Sequence, residues 1–296
     1  MNIPTQIISI IKIPYSDEVE LYIKREDLIH PEISGNKYWK LFYNIKNYLE
    51  IPKENPMLIT FGGAFSNHIA ATSALGRELG IKSLGIIRGE ELEQKWQENP
   101  TLSKAYHNGM EFHFVTRDAY RDKENLAKIY QQKYPQALII PEGGSNEWAV
   151  QGIRFMLDER TKDFDYLCTA VGTGGTIAGL SKYAEPHQKV LGFKVVNDNV
   201  EKKISEWSGK QNFELLDAWG KGYGRITEDL VLFIKEFQEK YQILLDPCYT
   251  SKMMKCLTKK IDEGFFPKGS KILAFHTGGI QGLEGMNKMK NTNIKI

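Results

Sequence analysis

The sequence predicts an α/β protein: two doubly wound α/β lobes with mainly parallel sheets, each sheet covered by helices on both faces. Three observations predict it. Short apolar runs alternate with helix-period stretches along much of the chain; glycines gather just after four of those runs; and 296 residues exceed one comfortable core of roughly 100–200 residues, while no Pro/Gly/Ser-rich linker divides them. Without a linker, a second lobe has to be an insertion within the first. That places a smaller α/β lobe over residues 46–152 and a larger one over residues 1–45 and 153–296.

Taken in order, a helical pattern at 38–49 follows the charged loop Lys24-Arg25-Glu26-Asp27. An apolar run at 57–61 precedes a helix-period stretch at 66–79, and a further run stands at 83–87. Runs at 112–115 and 137–140 precede helical patterns at 122–134 and 146–158, and the run at 166–171 precedes one at 176–183. A last helical stretch, 252–262, comes before the run at 272–275. Short apolar runs separated by helices read as parallel strands buried on both faces. Ligands of such sheets sit at the carboxyl ends of the strands. Glycines mark those ends at Gly62-Gly63, Gly143-Gly144, Gly172 to Gly175 and Gly278-Gly279, more often than turn-making requires.

Composition removes whole classes of function. Hydrophobic residues are 41% and charged residues 26%, the proportions of an ordinary soluble globular chain. Lysine and arginine number 39 against 37 acidic residues, a net charge of +2 with no dense basic block, so neither nucleic acid nor a membrane surface is expected as a partner. No apolar run approaches the roughly 18 residues of a membrane span, and the Ile-rich start lacks the features of a signal peptide. Three widely spaced cysteines and six histidines without ligand spacing give no reason to expect a disulfide framework or a metal. A reducing cytoplasm is the expected setting. The basic tail, residues 288–296, reads as a frayed end.

Four constellations carry chemistry, and each has a plainer reading. Ser34-Gly35-Asn36-Lys37 opens a helix with a lysine, where the positive end of the helix dipole disfavours an ammonium and lowers its pKa. Such a lysine can act as an amine nucleophile toward a carbonyl, although most lysines are only solvated surface. Gly172-Thr173-Gly174-Gly175-Thr176, between a strand and a helix, offers N–H and hydroxyl donors to a phosphate, or forms a tight turn. It is not a dinucleotide fingerprint, because Ile177 occupies the third glycine position. In Gly62-Gly63-Ala64-Phe65-Ser66-Asn67-His68, Ser66 and Asn67 suit a carboxylate or ring oxygen and equally suit helix caps. Lastly, Tyr223 lies among glycines, and Asp246-Pro247-Cys248-Tyr249-Thr250 precedes a helix that Thr250 would cap.

In this order, Ser-x-Gly-Asn-Lys, Gly-Gly-x-x-Ser-Asn-His, Gly-Thr-Gly-Gly-Thr, Asp-Pro-x-Tyr-Thr and His276-Thr277-Gly278-Gly279 resemble the 1-aminocyclopropane-1-carboxylate deaminase and D-cysteine desulfhydrase family, over residues 21–279. The resemblance implies pyridoxal 5′-phosphate as cofactor and fold type II, the tryptophan-synthase-β-like fold. It implies that Lys37 holds the cofactor as a Schiff base and that Gly172, Thr173, Gly174, Gly175 and Thr176 bind its phosphate. Asn67 would bond the ring's phenolic oxygen; Ser66, Asn67 and His68 would meet the substrate carboxylate. Thr250 would face the pyridine nitrogen, with Tyr223 and Tyr249 flanking the substrate as catalytic tyrosines. A homodimer is compatible with this reading.

The chain departs from the family in three places. Phe65 stands where many members carry glutamine, Trp39 where an arginine is common, and residues 197–213 are short for the family. By the same resemblance, cyclopropane-opening deaminases carry glutamate where Thr250 lies. A carboxylate keeps the ring nitrogen protonated and the ring a strong electron sink, whereas β-elimination from D-cysteine has a good leaving group and needs less help. The expectation is therefore a lyase or deaminase of a small amino acid, of D-cysteine desulfhydrase type, giving pyruvate, ammonia and sulfide. The alternatives are a 1-aminocyclopropane-1-carboxylate deaminase, an NAD(P)-dependent oxidoreductase and a non-catalytic amino-acid-binding protein.

Overall fold

The parallel strands expected from the apolar runs assemble into two sheets in the computed structural model, which describes residues 7–220, 222, 224–290, 292 and 294. In chain order the strands are Ile10–Ile13 (β1), Glu20–Lys24 (β2), Met57–Gly62 (β3), Lys82–Arg88 (β4), Met110–Val115 (β5), Ala137–Ile140 (β6), Tyr166–Val171 (β7), Lys189–Lys194 (β8), Phe213–Asp217 (β9) and Lys271–Phe275 (β10). One sheet runs β1-β2-β10-β7-β8-β9 and the other β5-β4-β3-β6. Every pairing is parallel except the hairpin of β1 with β2.

The strands bury both faces, as their composition requires: Leu58 and Ile59 in β3, Leu167 and Cys168 in β7, and Ile272 to Phe275 in β10 are fully shielded from solvent. Helices supply the cover. In the helix Asn36–Leu49, Tyr38, Leu41, Ile45 and Tyr48 recur at helical spacing on one buried side. Each aliphatic side chain buried there contributes about 1.5–3 kcal/mol. Its partner helix, Glu147–Ile153, approaches so closely that a Cβ on Gly152 would stand 1.9 Å from the Trp39 carbonyl oxygen. Only glycine permits that crossing. The helical pattern expected over 146–158 stops early, because the backbone becomes extended at Leu157 and Asp158 turns in to meet Lys24 Nζ at 2.8 Å.

Four helices start around one region of the molecule: Asn36–Leu49, Asn67–Leu79 after β3, Gly175–Tyr183 after β7, and Thr250–Asp262. Among the described residues no helix is long and apolar enough to cross a membrane.

Candidate active site

The first residues of three of these helices, and the loop leading into the fourth, line one cavity of about 560 Å³, within the range that holds a small molecule. A helix start leaves backbone N–H groups without intrahelical partners and carries partial positive charge, so this convergence favours anions. A broader and more open groove, about 970 Å³, adjoins it along residues 224–229, Met289 and Lys290.

Lys37 enters the cavity because of the residues before it. Gly35 has φ 63°, and a Cβ there would lie 2.0 Å from the Thr277 carbonyl oxygen, so the turn locks against the His276-Thr277-Gly278-Gly279 loop. Asn36 then accepts a hydrogen bond from Lys37 Nζ at 3.1 Å and donates its own amide to Thr176 Oγ1 at 2.8 Å. One asparagine thus ties the amine to the glycine-rich loop. Burial pulls the Lys37 pKa down to about 8, against an opposing contribution from the Asp246 carboxylate. A sizeable fraction of the amine is neutral near neutral pH, as a nucleophile requires.

Gly172, Thr173, Gly174, Gly175 and Thr176 line the cavity together, with Gly174 in the left-handed region at φ 85° as the helix cap. Behind them stands Lys40, one helical turn beyond Lys37 and almost fully buried. Its Nζ donates to the Gly143 carbonyl and to Ser145 Oγ, both at 2.6 Å, and Ser145 Oγ shares a hydrogen bond with Thr173 Oγ1. Burial, and then the charge of Lys37, hold the Lys40 pKa well below its ordinary value.

Across the cavity, Ser66 caps the helix Asn67–Leu79 by accepting from the Ile69 N–H at 3.3 Å, and Asn67 Oδ1 accepts from Gln281 Nε2 at 2.8 Å. His68 is fully buried. Thr60 Oγ1 donates to the Ile140 carbonyl at 2.9 Å, so the 2.7 Å contact between Thr60 Oγ1 and His68 Nε2 has the ring nitrogen as donor. Nδ1 is then an unprotonated lone pair, and it has no partner among the described residues. Burial, and then the charges of Lys37 and Lys40, hold the ring neutral. In this arrangement His68 presents an acceptor, while Ser66, Asn67 and the free N–H groups of the helix start supply the donors that a carboxylate needs.

Asp246 organises the loop before the helix Thr250–Asp262. Its Oδ2 accepts from the Cys248 and Tyr249 N–H groups, each at 2.9 Å, and its Oδ1 accepts from the Thr250 N–H at 2.6 Å and the Thr250 hydroxyl at 2.7 Å. Thr250 is therefore the first residue of the helix, and the aspartate takes the capping role expected of the threonine. Thr250 is fully buried, and its hydroxyl is engaged with Asp246 Oδ1. Tyr249 does line the cavity, with its ring packed on Gly172: a Cβ there would come within 3.1 Å of it. Tyr223 lies outside the described residues.

Lys40, Asp246 and Arg88 are among the cavity residues that the sequence reading did not assign to the site. Lys40 carries a signal, since it follows Lys37 at i+3 and must share its helix face. Asp246 was visible only as part of a motif. Arg88, at the end of β4, is brought in by strand pairing and has no local signature.

With this geometry in hand, comparison with known proteins identifies its kind. Residues 2–278 match the family model described as pyridoxal-phosphate-dependent enzyme. A Thermotoga maritima protein, provisionally named a 1-aminocyclopropane-1-carboxylate deaminase, is 33% identical over 89% of each chain. The mitochondrial bifunctional D-cysteine desulfhydrase/1-aminocyclopropane-1-carboxylate deaminase of Arabidopsis thaliana is 31% identical over 89% of this chain and 73% of its own. The crystal structure of a homologue of that deaminase superimposes with a TM-score of 0.80 at 28% identity, over 96% of this chain and 93% of its own.

Proposed function

The chain belongs to the pyridoxal-phosphate-dependent enzyme family, and from that premise we propose that it is a lyase of small β-substituted amino acids, of D-cysteine desulfhydrase type, releasing pyruvate, ammonia and sulfide. The observation that carries the reading is the Lys37 amine, held at the cavity with a pKa of about 8 beside a glycine-rich helix start. The donor set suits the cofactor: an amine for its aldehyde, and five residues of loop and helix start for its phosphate.

Pyridoxal 5′-phosphate, when bound, supplies the electron sink that accepts the charge left at Cα. The remaining work falls to the protein. Lys37 would hold the cofactor and, once its amine is free, remove the Cα proton. Residues 172–176 would bind the phosphate, stiffened by the chain Lys40–Ser145–Thr173. Asn67 would meet the ring's phenolic oxygen, and Ser66 with the adjoining N–H groups would hold the substrate carboxylate. His68, committed to Thr60, would keep that helix start in register. Asp246 and Thr250 would fix the loop that carries Tyr249 over Gly172, where its phenol can give a proton at the reacting end of the substrate; Tyr223 joins it in the same role. We also read the two sheets as two lobes, residues 1–45 with 153–296 and residues 46–152, with the cavity between them.

Pyruvate release from D-cysteine, L-cysteine and O-acylated serines, set beside 2-oxobutanoate release from 1-aminocyclopropane-1-carboxylate, tests the reading. D-cysteine or a close β-substituted analogue should react faster. A clear lead for the cyclopropane substrate would make the chain a deaminase of that type, and no 2-oxo acid from any of them would end the lyase reading.

A further inference from the structure

Arg88 stands in the cavity wall apart from the residues proposed to meet a substrate's α-carboxylate. β4 pairs with β3 so that Ile87 stands opposite Gly62, which sets Arg88 beside Gly63 at the turn leading to Ser66 and Asn67. Arg88 Nη2 lies 3.4 Å from where a Cβ on Gly63 would stand, an ordinary van der Waals distance, so the guanidinium lies along that turn. Arg88 is half-buried, lines the cavity, and has its Cζ 5.7 Å from the centre of the Tyr120 ring. Tyr120 is itself fixed, donating to Glu142 Oε1 at 2.8 Å.

The neighbouring charges are accounted for, and Arg88 is left over. Lys123 Nζ pairs with Glu142 Oε2 at 3.2 Å, and Arg117 pairs with Glu91. Arg88 has no acidic partner and no hydrogen bond among the described residues. A half-buried guanidinium in a cavity wall, with five donors and none engaged, is a preformed receptor for an oxyanion. The α-carboxylate already has the start of the helix Asn67–Leu79.

Resting on the amino-acid-lyase reading of this cavity, we propose that Arg88 is a specificity-determining residue that can receive a second, side-chain oxyanion, so that of two otherwise matched amino acids the one with an acidic group at the β or γ position binds more tightly. The chemistry is a carboxylate or phosphate ester held by a bidentate guanidinium, with Lys123 and Arg117 strengthening the field.

Equilibrium titration of the holoenzyme, followed by the change in cofactor absorbance, tests this without turnover. The probes are matched pairs, aspartate with asparagine and O-phosphoserine with serine, in both enantiomers. At low salt the acidic member should bind about ten- to a hundredfold tighter, the span of a hydrogen bond to a charged group, and added salt should shrink the gap. Arg88→Gln should bring the ratio close to one while leaving asparagine binding within about twofold, and Arg88→Lys should keep part of the preference. Equal binding of both members by the parent enzyme overturns the proposal whatever the variants do. If Arg88→Gln weakens both members alike, Arg88 serves the α-carboxylate instead and the second subsite is wrong. A failed 2-oxo-acid screen would leave the binding ratio measurable, so the two readings fail separately.

Discussion

The two walls of the cavity differ in how much of their polar chemistry is already spent. On the wall built from the six-stranded sheet, Asp246 accepts four hydrogen bonds, Asn36 spans from Lys37 to Thr176, and Lys40 is locked between Gly143 and Ser145. On the wall built from the four-stranded sheet, His68 Nδ1 has no partner and Arg88 has no counter-ion among the described residues. A group that is always the same can be met by donors fixed in advance, because their desolvation is settled when the protein folds. Uncommitted groups make sense where the guest changes from turnover to turnover. The first wall, Tyr249 apart, therefore reads as the cofactor's, and the second, Asn67 apart, as the substrate's.

The strongest way to break that contrast is to remove the amine on the committed wall. Lys37→Ala should lower 2-oxo-acid formation by at least about 10³-fold, since general acid–base groups alone contribute about 10²–10⁴-fold and the cofactor anchor is lost with it. Borohydride treatment should then fix no label to the peptide that holds position 37. In the parent protein, the rate at which added cofactor attaches should rise with pH around a midpoint near 8, where the folded-state amine loses its proton, and not near 10.5. A midpoint at the ordinary lysine value would mean that Lys37 is solvated and the wall is not preformed.

A smaller effect should follow at the border between the walls. Tyr249→Phe keeps the ring on Gly172 and removes only the phenol. If that hydroxyl moves a proton at the reacting end of the substrate, kcat should fall about 10²-fold with cofactor absorbance unchanged. Full turnover in the variant would make Tyr249 a packing residue.

How much of this was legible in the sequence depends on whether the information was local. The loop 172–176 and the turn 62–68 could be read because each joins strand end, glycine and helix start within a few residues, Lys37 because it follows a glycine at a helix start, and the strand limits at 137–140 and 166–171 coincide with those observed. Strands β1, β2, β8 and β9 went unnamed. β8 carries Gly192 in its middle, a poor strand residue, for a reason that exists only in three dimensions: a Cβ there would meet Ile177 Cδ1 at 2.3 Å. Arg88 was silent because its importance comes from register with Gly63, and Thr250 misled because the carboxylate that caps its helix sits four residues earlier.

The smallest expected effect concerns an unspent atom behind the committed wall, away from the cavity. Glu26 is fully buried, accepts from Trp39 Nε1 at 2.8 Å through Oε2, and leaves Oε1 without a hydrogen bond, with Lys24 Nζ 3.6 Å away. An indole meets the carboxylate there and brings no charge to it. Burial raises the Glu26 pKa above 4.5, with the Lys24 charge opposing. Nearby Asp158 is shifted the other way, held well below its ordinary value by hydrogen bonds from Arg160 and Lys24 that outweigh its partial burial. The signs follow from linkage. A carboxyl group whose pKa is raised on folding contributes stability below its unfolded pKa and loses it as pH rises through the folded value; one whose pKa is lowered contributes above its unfolded pKa and loses it as pH falls through the folded one. Glu26→Gln should therefore remove only the loss on the alkaline side. Melting temperatures measured from pH 4 to pH 8 should show the difference, variant minus parent, growing with pH. The acid-side loss due to Asp158 should be the same in both proteins. A difference that stays flat with pH would mean that Glu26 is ionised at an ordinary value, with Lys24 as a full counter-ion, and that the committed wall is satisfied down to its last carboxylate oxygen.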